Sequence, residues 1–216
     1  MGEGIIPCGD RYRDMPDCPL CRIPLVLMKP REAFQQARNE PLATAAFTVI
    51  PLALLFAVLV TAMGVLLSPA AVFGPMAPLL TGSGFMQPGI TPAALLAGVL
   101  ILAVLCLIAI SLKAAWLHLW VFALGGRQGV EQTAKAVLSA AIPIFLLGWI
   151  PLIGLLIGAL WAIVILVTGI EVLHGISSGR ALASVFLAWF IGFVLLVVLP
   201  LLYFLPVRVV GPVPVE

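Results

Sequence analysis

Two groups of side chains in this chain have the type and spacing to do chemistry. The first is Cys8 followed by Cys18-Pro19-Leu20-Cys21. Two cysteines separated by two residues let both thiolates reach one tetrahedral zinc ion. Cys8 is then the third ligand, and Asp10, Asp14, Asp17 or a second chain supplies the fourth. A complete zinc ribbon needs two such pairs, and both histidines, His118 and His174, lie far downstream. The alternative is a set of reduced thiols in a disordered head, since a disulfide does not suit a cytoplasmic segment. Cys106, inside a long apolar run, reads as packing.

The second group is a polar cluster of Lys113, His118, Glu171 and His174. Glu171 and His174 are three residues apart and share one helix face. An ionisable group in or near a membrane helix is a candidate for an ion or proton path. All four, however, fall near the ends of apolar runs, where a long side chain can reach the interface. Their position therefore favours helix-end pairing over transport. No residue is assigned a catalytic or cofactor-binding role. The chain has no His-Glu-x-x-His, no Gly-x-Ser-x-Gly and no paired carboxylates within an apolar run. Ser177 beside His174 is the nearest thing to a nucleophile and base, at a helix end where both residue types are ordinary.

The elements that must position these groups are hydrophobic helices. Hydrophobic residues make up 63% of the 216 residues and charged ones 9%, with a mean hydropathy of +1.24. So few charges cannot cover a soluble domain, which carries about a quarter. The formal net charge of +2 gives no reason to expect nucleic acid. Charges are absent from 41–112, 136–170 and 181–207. A span needs about 20 mostly apolar residues to cross about 30 Å of hydrocarbon. The first 40 residues carry six Lys/Arg and six Asp/Glu and show no apolar core, so they do not read as a secretory signal.

The pattern predicts an all-α, polytopic bundle of five spans at 43–67, 91–124, 133–149, 152–174 and 181–205. An uncharged Pro/Gly-rich loop fills 69–92, read as a surface loop with a re-entrant loop as the alternative. The second helix is too long for the bilayer and continues past Lys113 as an extension bearing Trp116, His118 and Trp120. Gly148-Trp149-Ile150-Pro151 makes a tight hairpin; without that turn the count falls to four. Gly154 and Gly158 form a GxxxG that allows close helix approach, within the chain or between two copies. Residues 1–28 form a cytoplasmic Cys-bearing head, 29–205 the membrane domain and 206–216 a Pro-rich tail. With the N-terminus inside, five spans leave only Arg208 of the Lys/Arg residues outside.

The order of small and aromatic landmarks resembles the Yip (Ypt/Rab-interacting protein) membrane domain. The landmarks are Lys29-Pro30-Arg31-Glu32-Ala33-Phe34, then Trp116-Leu117-His118-Leu119, Gly125-Gly126, Gln132-Thr133 and Ala141-Ile142-Pro143. They continue with Trp149-Ile150-Pro151-Leu152-Ile153-Gly154, Trp161, Gly169-Ile170-Glu171-Val172-Leu173-His174-Gly175-Ile176-Ser177 and Arg180-Ala181. The resemblance covers about 29–205. It implies five spans and a cytoplasmic N-terminus. Eukaryotic members of that family bind prenylated Rab-type GTPases in vesicle traffic. The short chain with its brief head is more similar to the prokaryotic type, which implies a prokaryotic cell membrane. The expected function is a non-enzymatic membrane adaptor or organiser. Its partners are the lipid bilayer, a soluble protein docked on the cytoplasmic face and, on the GxxxG, a second copy. The alternative is a small transporter or ion channel using Glu171, His174 and His118.

Overall fold

The computed structural model describes residues 19–66 and 92–201. Nearly all of the loop expected over 69–92, and the tail at 206–216, lie outside the described residues. Among the described residues seven α-helices follow in order: α1 (Pro19–Met28), α2 (Pro30–Ala37), α3 (Leu42–Leu66), α4 (Pro92–Ala123), α5 (Val130–Leu147), α6 (Ile153–His174) and α7 (Ser178–Phe193). A π-helical turn at Val194–Val198 carries α7 on towards Leu201. Five of these elements are long and apolar enough to cross a membrane: Leu42–Met63, Leu95–Ala123, Val130–Leu147, Ile153–His174 and Ser178–Leu201.

The bundle is built around α5. Its buried side includes Ala136, Val137, Ser139, Ala140, Ala141 and Ile142, and it packs against α3, α4 and α6. A central helix meets protein on most sides and does not need to be uniformly apolar. Accordingly its mean hydropathy is 1.4, against 2.4 to 3.1 for the other four spans. Those four turn large apolar side chains outward, among them Leu54, Val104, Leu105, Leu156 and Phe186. Such an inside-out surface suits lipid rather than water.

Helices α5 and α6 are joined by a turn too tight for one bent helix. The Gly148 N–H closes α5 on the Ile144 carbonyl at 2.7 Å. Leu152 then takes φ 61° and ψ −68°, and the Ile153 N–H reaches the Pro151 carbonyl at 2.8 Å. That is a γ-turn of the rare, positive-φ kind. The two helices run back antiparallel: Gly158 lies against Pro143 and Ile144, and Gly169, further along α6, lies against Ala136 near the start of α5. A Cβ on Gly158 would sit 2.9 Å from the Pro143 carbonyl oxygen. Within the chain, therefore, Gly154 and Gly158 serve the α5–α6 contact. At the other end of α6, Gly175 adopts φ 65° and its N–H caps the Glu171 carbonyl at 3.0 Å, which stops the helix.

The N-terminal segment departs from expectation. The charged stretch before the first span contains two helices that dock on the bundle. Ala33, Phe34 and Ala37 fall on one face of α2 and are buried, and Val26 of α1 is fully enclosed. The C-terminal carbonyls of a helix lack intrahelical partners. Here two side chains of the bundle take them: Trp161 Nε1 donates to Leu27 O at 3.2 Å, and Gln132 Nε2 donates to Arg38 O at 3.1 Å. The Phe34 ring fills the space left by Gly169, where an added Cβ would meet Phe34 Cζ at 2.7 Å and Ala136 Cβ at 3.0 Å. Gly169→Ala should therefore cost about 1–3 kcal/mol, the usual range for overpacking. In a Phe34→Leu background the cost should shrink. Thermal unfolding in detergent over the double-mutant cycle measures this; strictly additive losses would show that Phe34 is not the obstacle.

Candidate functional site

Polar residues of the described bundle gather where the α4–α5 turn, the α6–α7 turn and α2 meet. Three histidine-linked groups sit at its centre. His118 Nδ1 lies 2.8 Å from Thr133 Oγ1, and Thr133 Oγ1 lies 2.9 Å from His174 Nε2. The link joins α4, α5 and α6 at one level, and the two imidazole centroids are 6.1 Å apart. Thr133 is fully buried and His174 nearly so.

One hydroxyl hydrogen serves one ring, so Thr133 donates to one histidine and accepts from the other. His174 Nδ1 is buried and has no hydrogen-bond partner among the described residues. An unmet acceptor is tolerated better than an unmet N–H in a buried site. The network thus assigns the His174 proton to Nε2, which donates to Thr133, and the Thr133 hydrogen to His118 Nδ1. Gly126 makes room for this ring: a Cβ there would stand 3.0 Å from His174 Nδ1 and 2.5 Å from Val121 Cγ1. With both neighbours committed, the Thr133 hydroxyl works as a pin between helices.

The other candidates go elsewhere. Glu171 pairs with Arg31 of α2, Nη2 to Oε1 2.5 Å, across 140 residues of sequence. Lys113 faces away from the histidines, with its ammonium 5.4 Å over the Trp189 ring of α7. Cys106 is half-buried in α4. Cys8 and Cys18 lie outside the described residues, as does the side chain of Cys21 in α1. Among the described residues no three His, Cys, Asp or Glu side chains converge as a metal site.

Several residues at this end escaped the sequence reading. Thr133 entered it only as a landmark, although it links both histidines. Arg22 is buried in α1 and bound to Glu40, Nη1 to Oε2 2.5 Å, which ties α1 to the start of α3. Lys135 is almost fully enclosed, with Nζ 3.2 Å from Glu131 Oε1 one turn earlier. That pair has the helix-stabilising order, acid before base at i and i+4, and was the one legible signal.

The Yip1 domain matches residues 25–199. The chain belongs to the Yip1-domain family. The match begins inside α1, so the end of α1 and all of α2 fall within the family's domain. No curated protein and no solved structure matches the chain. The five long apolar helices and the Yip1 domain together make this a multi-pass membrane protein.

The pin can be removed without a change of shape. Thr133→Val should cost about 1–2 kcal/mol, the upper range for a hydrogen-bonded side chain between membrane helices. Thr133→Ser should retain most of the stability. Imidazole 15N shifts should report Nε2-protonated rings in the native protein and lose that signature in Thr133→Val. Unchanged stability and unchanged shifts would remove the pin from the account.

Proposed function

We propose that this Yip1-domain protein is a non-enzymatic membrane adaptor that presents a rigid polar surface to a soluble partner. The observation that carries the proposal is the seating of α2. Its apolar face is locked into the bundle, while Arg31, Glu32, Gln35 and Gln36 stay exposed. Arg38, Arg127 and Arg180 are exposed on the neighbouring segments. A helix that supplied only stability would not need to hold so many charged groups outward in fixed positions. The excess of exposed cations suits a partner with an acidic face. The Lys/Arg bias supports a cytoplasmic position for this end, with the C-terminus on the opposite side. Binding of a Rab-type GTPase, as in eukaryotic members, is one instance of such a role.

A transporter or channel would route a substrate or proton past the ionisable groups. The geometry favours the adaptor here, because Glu171 is held by Arg31, the histidines close on Thr133, and Lys113 faces another side. A photocrosslinker at Gln36 should capture one defined soluble protein in cells. The double change Lys29→Glu with Arg38→Glu should weaken that capture several-fold without unfolding the bundle. Proteoliposomes should show no flux above empty vesicles. A substrate-specific flux abolished by His174→Ala would overturn the adaptor in favour of transport. Reporters placed before Met1 and after Glu216 should lie on opposite faces, the first inside.

A further inference from the structure

Lys113 is the outlier of the two lysines in the described spans. Lys135 has Glu131, but Lys113 has no carboxylate and no hydrogen-bond acceptor among the described residues; it meets only the Trp189 ring. It stands at one end of an apolar groove between α4 and α7 that encloses about 540 Å3. The groove runs from Lys113 and Trp116 past Gly192 to Leu195 and Val197. Trp116 cannot answer for a ligand's acceptor, since its Nε1 already donates to Ala188 O at 2.8 Å.

Two features shape the groove. Gly192 leaves its floor open, where a Cβ would come no nearer than 3.6 Å to Trp116 Nε1. The π-turn at Val194–Val198 interrupts the α-helical side-chain order along its far wall. Such turns recur at functional sites. Depth follows from α4. Lys113 is five residues before His118, about 8 Å along the helix at 1.5 Å per residue, and His118 is level with Thr133 in the first turn of α5. From that depth a lysine stem can snorkel its ammonium to lipid phosphates, and the groove leads on from it along the apolar part of α7.

We propose that this groove binds one anionic glycerophospholipid, with its phosphate on Lys113 and an acyl chain along Gly192 to Val197. Charge complementarity selects this occupant over a second copy of the chain. A second copy related by a two-fold axis along the membrane normal would meet Lys113 with residues of the same depth. The acids within the described spans, Glu131 and Glu171, lie at the polar end and offer no counter-charge at this depth. A zwitterionic lipid brings a phosphate too, but its own ammonium already neutralises it, so only an anionic headgroup supplies a net counter-charge to Lys113.

Native mass spectrometry of the protein released from vesicles of equal phosphatidylglycerol and phosphatidylcholine tests this. One retained phosphatidylglycerol is expected, enriched roughly fivefold over phosphatidylcholine, the selectivity one lysine confers at a membrane surface. Lys113→Met should abolish the enrichment and Lys113→Arg should keep it. Arg127→Met, which removes an exposed cation from the next turn, should leave it unchanged. Gly192→Phe fills the groove and spares the charge, so it should also lose the lipid, and it decides the matter if Lys113→Met does not fold. Equal retention of the two lipids, retention in Gly192→Phe, or displacement by excess inorganic phosphate overturns the proposal.

Discussion

The close approach of α5 and α6 is the constraint on which the rest of the bundle depends. Between helices in lipid the hydrophobic effect gives little net attraction, because the tails are as apolar as leucine. Attraction comes instead from van der Waals contact, which falls off steeply with separation. Gly154, Gly158 and Gly169 remove the side chains that would keep the helices apart, and they sit opposite Leu147, Pro143 and Ala136 in antiparallel order. The γ-turn at Leu152 is needed to bring the two helices back within that distance. Once α5 is committed to α6, its remaining surface receives α3 and α4, and Phe56 reaches Phe145 with ring centroids 5.3 Å apart.

The same logic explains the docking of the N-terminal helices. Gly169 serves α5 through Ala136 and α2 through Phe34 at once. A single missing Cβ thus lets three helices meet. Around that point the polar ties are made by leftover backbone carbonyls, at Leu27 and Arg38, which would otherwise end in or near the membrane unpaired. Two side-chain pairs add to these among the described residues: Arg22–Glu40, largely buried, ties α1 to the start of α3, and Arg31–Glu171 ties α2 to α6. Arg31 is too exposed for its bridge to contribute more than about 1 kcal/mol, so the docking of α2 rests on shape and satisfied carbonyls more than on charge.

How much of this could be read from residues alone follows from which signals are local. Spans were legible because a charge-free run of 20 residues admits few other interpretations, and the five helices match the expected ones within a few residues at most ends. The turn at Gly148 to Pro151 was legible because glycine, proline and an interfacial tryptophan coincide there. The docked helices were not, because their apolar faces are short: Ala33, Phe34 and Ala37 occupy barely one turn, amid charges that dominate any average. The candidate cluster was legible only as composition. Spacing along α6 put Glu171 and His174 on neighbouring positions, yet each found its partner on another helix, 140 residues away for one and through Thr133 for the other. Which way a side chain reaches across a helix interface depends on packing that no spacing rule contains.

The two lysines of the spans make the asymmetry of the molecule plain. Lys135 is the more deeply buried, but it is enclosed by protein and its acid lies one turn away on the same helix. Lys113 is less enclosed and has no acid among the described residues, and it opens on a groove walled by Trp189 and Leu196. In water the exposed lysine would be the unremarkable one. In a bilayer the order reverses, because the surroundings of an outward-facing charge are hydrocarbon and desolvation is not offset unless a partner is supplied. A charge that the fold pairs internally stabilises the bundle. A charge that the fold leaves facing lipid must be answered by the membrane itself, and that makes the α4–α7 face the side on which this protein is sensitive to its lipids.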